Sequence, residues 1–165
     1  MSISAQFLAE LKQEAIATRN ILAAVPMQHK DYSPHKKSMT LGRLATHVAE
    51  IPGWWKECLV QDVLDFKQET YVPKTFETTE DLLNHFDDLM LKAEVILNAT
   101  PDEEYSKPWT MKDGDVVFFT MPKYDVVRTW CLNHLYHHRA QLGVYLRMLD
   151  VPLPATYGPS ADFNS

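Results

Sequence analysis

Cysteine is scarce. Cys58 and Cys131 are the only two, they form no Cys-x-x-Cys pair, and each stands on an apolar helical stripe, so both read as buried free thiols. Positive charge is short as well: sixteen Lys and Arg against twenty-two Asp and Glu leave a net charge of −6 with no basic stripe. That balance argues against neutralising nucleic-acid phosphates as a main role. No apolar run approaches the length of a bilayer crossing. Met1-Ser2-Ile3-Ser4-Ala5-Gln6 shows no charged region leading into an apolar run and a cleavage site. A soluble, cytoplasmic protein is expected, with neither nucleic acid nor membrane as partner.

Several catalytic programmes lack their residues. There is no Glu-x-x-His, which a di-iron bundle needs on two helices. There is no His-Glu-x-x-His, so a zincin protease would have no general base, and no Cys-x-x-Cys-His for covalent haem. A Gly-x-Ser-x-Gly elbow and a Walker loop are also missing.

What is present is histidine in a helical setting. His134 and His138 are four residues apart, a little over one turn, so their rings project from one helix face. Val127, Trp130, Cys131, Leu142, Tyr145 and Leu149 recur beside them at steps of three and four, which marks that face as the buried one. His47 lies in a second amphipathic segment among Leu44, Val48, Ile51 and Trp55. Taken alone it reads as a core imidazole bonded to a neighbour. Beside an inward pair the balance shifts, because adjacent buried imidazoles must satisfy their ring nitrogens and cannot both be protonated cheaply. A divalent cation meets both demands, and three histidines leave it a coordination position for water or substrate.

At 165 residues the chain fits one domain, 1–165. A first amphipathic helix is expected from about Ser4 to Ala24, stopped by Pro26. A polar connector, Gln28 to Ser38, leads to Thr40 as N-cap of a second helix, Leu41 to Val60, kinked at Pro52-Gly53. An irregular crossing, Gln61 to Glu77, precedes a third helix that opens on a capping box, Thr78 with Asp81, and ends near Asn98 and Pro101. Asp113-Gly114 between β-formers predicts a two-residue hairpin over Trp109 to Phe119. A long last helix, Pro122 to Leu149, has Pro122 in its first turn, and a loop tail follows from Asp150 to Ser165. The fold class is all-α: a four-helix bundle with long crossover connections, plus a small β-hairpin before the last helix.

Three further residues are candidates to steady a ligand or touch substrate. Gln141 shares the face of His134 and His138, although a locally satisfied glutamine reads equally well. His137 rivals the pair but points about 100° around the helix from His138, toward the flank. Arg139 reads either as a partner for a carboxylate on the second helix or at a dimer contact, or as a solvated surface cation.

These residues resemble the DinB family, the damage-inducible proteins that share a fold with YfiT-like metal-dependent hydrolases. The resemblance spans nearly the whole chain. Its carriers are Thr40-Leu41-Gly42 with His47 and Trp54-Trp55, then His134-Leu135-Tyr136-His137-His138-Arg139-Ala140-Gln141-Leu142, then Val151-Pro152-Leu153-Pro154 with Tyr157-Gly158-Pro159-Ser160-Ala161-Asp162. The middle block is similar to the family's His-x-x-x-His-Arg-Gly-Gln, with Ala140 where glycine is frequent. The resemblance implies a bundle with long crossovers, a homodimer, and one divalent metal on His47, His134 and His138. It also implies kinship with transferases and isomerases that use a low-molecular-weight thiol.

The expected function is metal-dependent hydrolysis or thiol transfer, with Zn²⁺ first and Ni²⁺ or Fe²⁺ as alternatives. The rival is a non-catalytic dimeric binding or stress-response module whose metal only stabilises the dimer. Trp54, Trp55, Phe118 and Phe119 supply aromatic area for such a contact where they are exposed, with at least two of them expected in the core instead. A small-molecule sensor or carrier using the same cavity is a third reading.

Overall fold

Three hydroxyl caps set where the long helices begin. The side chains of Ser2, Thr40 and Thr78 accept hydrogen bonds from the amides of Ala5, Arg43 and Asp81, starting α1 (Ile3–Ala23), α2 (Leu41–Glu50) and α4 (Thr79–Ala99). The computed structural model describes residues 1–68 and 71–163; the middle of the expected crossing, 69–70, and the end of the expected tail, 164–165, lie outside the described residues. At Thr78 the expected capping box is only half made. Asp81 takes the Thr78 hydroxyl proton at 2.6 Å.

The entry to α2 explains the Thr-Leu-Gly run. Leu41 and Gly42 give their amides to the carbonyls of Tyr32 and Lys30 at 2.7 and 2.8 Å, satisfying two donors that a helix start leaves open. A Cβ on Gly42 would lie 2.9 Å from Lys30 Cβ, so only glycine admits this approach. Leu41 itself is fully buried.

The kinked second helix is two helices. Pro52 falls in a 3₁₀ turn, Ile51–Gly53, beyond which α3 runs over Trp54–Leu59. The crossing contains a strand, β1 (Val63–Asp65), which the sequence did not reveal. It pairs in parallel with β2 (Pro108–Asp113), and β2 pairs antiparallel with β3 (Val116–Pro122), so the expected hairpin is the larger part of a three-stranded sheet. Three residues are too few to display a period of two. The hairpin loop is Gly114-Asp115, not Asp113-Gly114. Asp113 still pairs with Val116, and Gly114 has φ +58°. Register slips between Met111 and Lys112, leaving Phe118 as the extra residue of a bulge.

Pro122 ends β3 and precedes the last helix instead of entering it. That helix is α5 (Lys123–Val126), a π-helical turn (Val127–Asn133) and α6 (His134–Met148) in succession. It closes with a left-handed Asp150, φ 55°: the amides of Asp150 and Val151 reach the carbonyls of Arg147 and Leu146.

α1 packs chiefly on α4, and α2 lies against both α4 and α6. One core cluster gathers Leu22, Leu41, Leu44, Val48, Phe86, Leu135 and Leu142; another gathers Phe7, Trp55, Tyr105, Trp109, Val127 and Leu132. His134 lies between Leu132 and Leu135, at the junction of the two. Cys58 and Cys131 are buried free thiols with their sulfurs 3.8 Å apart. Among the described residues no helix is long and apolar enough to cross a membrane.

Candidate metal centre

α2 carries His47 and α6 carries His134 and His138, and the packing of α2 on α6 brings the three rings to one point. Their ligand atoms all lie within 4.8 Å of one another. The Nε2 atoms of His47 and His134 face each other at 2.9 Å. Zinc–nitrogen bonds of about 2.0–2.1 Å at tetrahedral angles set ligand nitrogens roughly 3.3 Å apart, so the arrangement fits a single ion. No other histidine, cysteine or carboxylate joins the group among the described residues.

The rings are kept neutral, as ligands must be. Burial, then His138 and His134, then Arg43 push His47 down to about 3. Burial and then His138 and His137 push His134 down to about 4. His138 is lowered by burial too, against an opposing bond from Gln141. Arg43, one turn before His47, also pushes the His47 and His138 rings down, and its guanidinium is itself paired with the Glu50 carboxylate at 3.4 Å.

Gln141 is on the ligand face, where its Oε1 lies 2.8 Å from His138 Nδ1. With the proton on Nδ1, that contact leaves Nε2 as the lone-pair nitrogen. His137 is exposed on the flank, its ring 4.8 Å from that of His138. Arg139 is neither on the surface nor paired with the second helix. It is buried against α1, where its guanidinium meets the Glu14 carboxylate at 2.7 Å, Thr18 Oγ1 at 3.1 Å and the Tyr157 hydroxyl. It therefore touches no ligand.

Two sets of neighbours escaped the sequence reading. Glu50 accepts from the Tyr71 hydroxyl at 2.6 Å, while Arg43 donates to the same tyrosine oxygen at 3.1 Å. Burial and Glu50 drive the Tyr71 phenol up to about 12. The second set is aromatic. Trp54 lies 5.0 Å from the His134 ring and Trp130 lies 5.7 Å from it. Among the described residues the indole N–H groups of Trp55 and Trp130 are buried without a hydrogen-bond partner. Trp130 precedes His134 by four residues, a spacing visible in the sequence, yet there it reads as one more core aromatic. Of the four aromatics weighed for a contact surface, Trp55 is fully buried, Trp54 and Phe119 are half-buried and Phe118 is exposed.

A helical bundle braced by a small sheet, with three histidines from two packed helices at one point, is the class of protein these features define. The chain belongs to the DinB family, whose model matches residues 1–164. Solved structures of DinB-like proteins share the fold. A DinB-like protein from Bacillus subtilis is 18% identical with a TM-score of 0.70, the match covering 92% of this chain and 96% of that one. A DinB-like protein from Bacillus cereus is 20% identical with a TM-score of 0.70, covering 92% and 95%. No curated protein matches the sequence.

Proposed function

We propose that this chain is a divalent-metal-dependent enzyme that hydrolyses a small molecule or transfers a low-molecular-weight thiol to it, with His47, His134 and His138 as the ligands. The observation that carries the reading is the meeting of three neutral imidazoles with no fourth protein ligand among the described residues. Structural zinc sites are closed by four protein ligands, whereas catalytic ones keep a position open. An ion held by neutral donors supplies, when bound, the positive charge that ionises a water or thiol near neutral pH.

The chain's own residues supply the rest. Gln141 holds the His138 ring in orientation, and the buried helix faces restrict water. Imidazole donors suit zinc, and nickel or iron share the preference. The chain acts as one domain in the cytoplasm and as a homodimer; the exposed Val116, Val117 and Phe118 support the latter, and sedimentation velocity tests it.

Elemental analysis of purified protein tests the centre. One divalent ion per chain is expected in the wild type and none in His47→Ala, His134→Ala or His138→Ala. Wild-type metal content in His134→Ala removes the proposal. Thiol-transfer and hydrolysis assays on the loaded wild type then separate the two reactions.

A further inference from the structure

A band of aromatic rings leads from the sheet to the histidines. Phe119 of β3 stacks on Trp130 of the π turn, centroids 6.0 Å apart and planes 8° from parallel. Trp54 of α3 follows at 6.4 Å from Trp130, and its ring lies 5.0 Å from His134 and 5.8 Å from His47. Trp54, Trp130, Phe119, His47 and His134 are all half-buried, so band and imidazoles share one partly open surface.

Although Trp54, Trp130 and Phe119 pack against the core, each ring of this band remains half-buried, so part of it stays open to a ligand. Two departures from regular structure lead into it. The bulge at Phe118 resets the strand just before Phe119, as bulges do where a side chain is re-aimed. The π turn that carries Trp130 ends directly before His134, and such turns concentrate at functional sites. Aromatic faces of this kind hold a flat, neutral ring by offset stacking.

We propose that Trp54, Trp130 and Phe119 form a stacking subsite for a planar aromatic group carried by the substrate, which holds the substrate's reacting end beside the three histidines. Only the placing of the reacting end rests on the proposed metal centre; stacking itself needs no ion.

Naphthalene-2-methanol and its fully saturated counterpart have the same carbon count and hydroxyl and differ in the π face. Both are titrated into metal-free and zinc-loaded wild type, with binding read by calorimetry. The aromatic alcohol should bind about ten-fold more tightly, and Trp54→Leu and Trp130→Leu should erase the difference. Trp130→Leu opens a gap beside the core and risks unfolding. Trp54→Leu and Phe119→Leu therefore carry the test if it does not fold. Equal affinity for the two alcohols, or a preference that survives both Trp54→Leu and Phe119→Leu, overturns the proposal. Zinc content of the same samples separates the two ideas. Protein that prefers the aromatic alcohol but holds no zinc keeps the stacking subsite and loses the metal centre; protein that holds zinc without the preference does the opposite.

Discussion

Each of the three histidine rings is defined by the atoms behind it as much as by its neighbours in the site. The Gln141 amide oxygen fixes the His138 proton on Nδ1, and loss of such a partner costs a metal site about 10- to 100-fold in affinity. Gln141→Leu should weaken zinc binding by that factor in a chelator competition without altering the folded state. Protons compete at the same nitrogens. His47 has its folded value near 3 and His134 near 4, both below the ordinary 6.5, so between those limits the unfolded chain binds more protons than the folded one. Stability of the metal-free protein should therefore fall as pH drops through 6.5 and stop responding to these groups below about 3. Thermal unfolding in chelator across that range should show a shallower acid slope for His47→Leu than for wild type.

At the scale of elements, two helical glycines predict opposite outcomes. A methyl on Gly42 would meet Lys30 Cβ at 2.9 Å and Lys30 O at 3.2 Å, in the contact that seats α2. Gly42→Ala should destabilise by about 1–3 kcal/mol through overpacking. Gly143, inside α6, has nothing within 4 Å of the same position. Gly143→Ala should stabilise by about 1 kcal/mol, since helix propensity is then the only change. Urea unfolding of the two variants checks both signs. The same scale shows why one strand was not legible: β1 has three residues, and what makes it a strand is β2 beside it. The π turn likewise leaves no mark in the apolar spacing, because the stripe of Val127, Cys131 and Leu135 reads as an ordinary helix face.

Across the whole molecule, the C-terminal segment is tied to the first helix through a buried charge. Arg139 and Glu14 are 5% and 8% exposed at their side chains, and the Tyr157 hydroxyl donates to the same Glu14 carboxylate at 2.7 Å. Asp162 ties the same segment to α6 by pairing with Arg147, and it also accepts from the Leu153 amide at 2.9 Å. Glu14→Ala leaves the guanidinium buried and unpaired, which costs about 3–5 kcal/mol. Its denaturation midpoint should fall accordingly, while Tyr157→Phe, which keeps the ion pair, should lose much less.

Sequence alone determined the helix starts at Thr40 and Thr78, the interruption at Pro52-Gly53 and the shared face of His134 and His138, because caps, proline and helical period act over a few residues. It also nominated His47 as the third ring, from its place on an apolar stripe. Tertiary structure decided what depends on distant neighbours: that His47 meets the other two, that Arg139 turns to Glu14 instead of the second helix, that three residues of the crossing join a sheet, and that Trp54, Trp130 and Phe119 line one surface. The reason is physical. Backbone preferences and side-chain periodicity are local, whereas burial, ion pairing and ring stacking are properties of what the other helices place opposite.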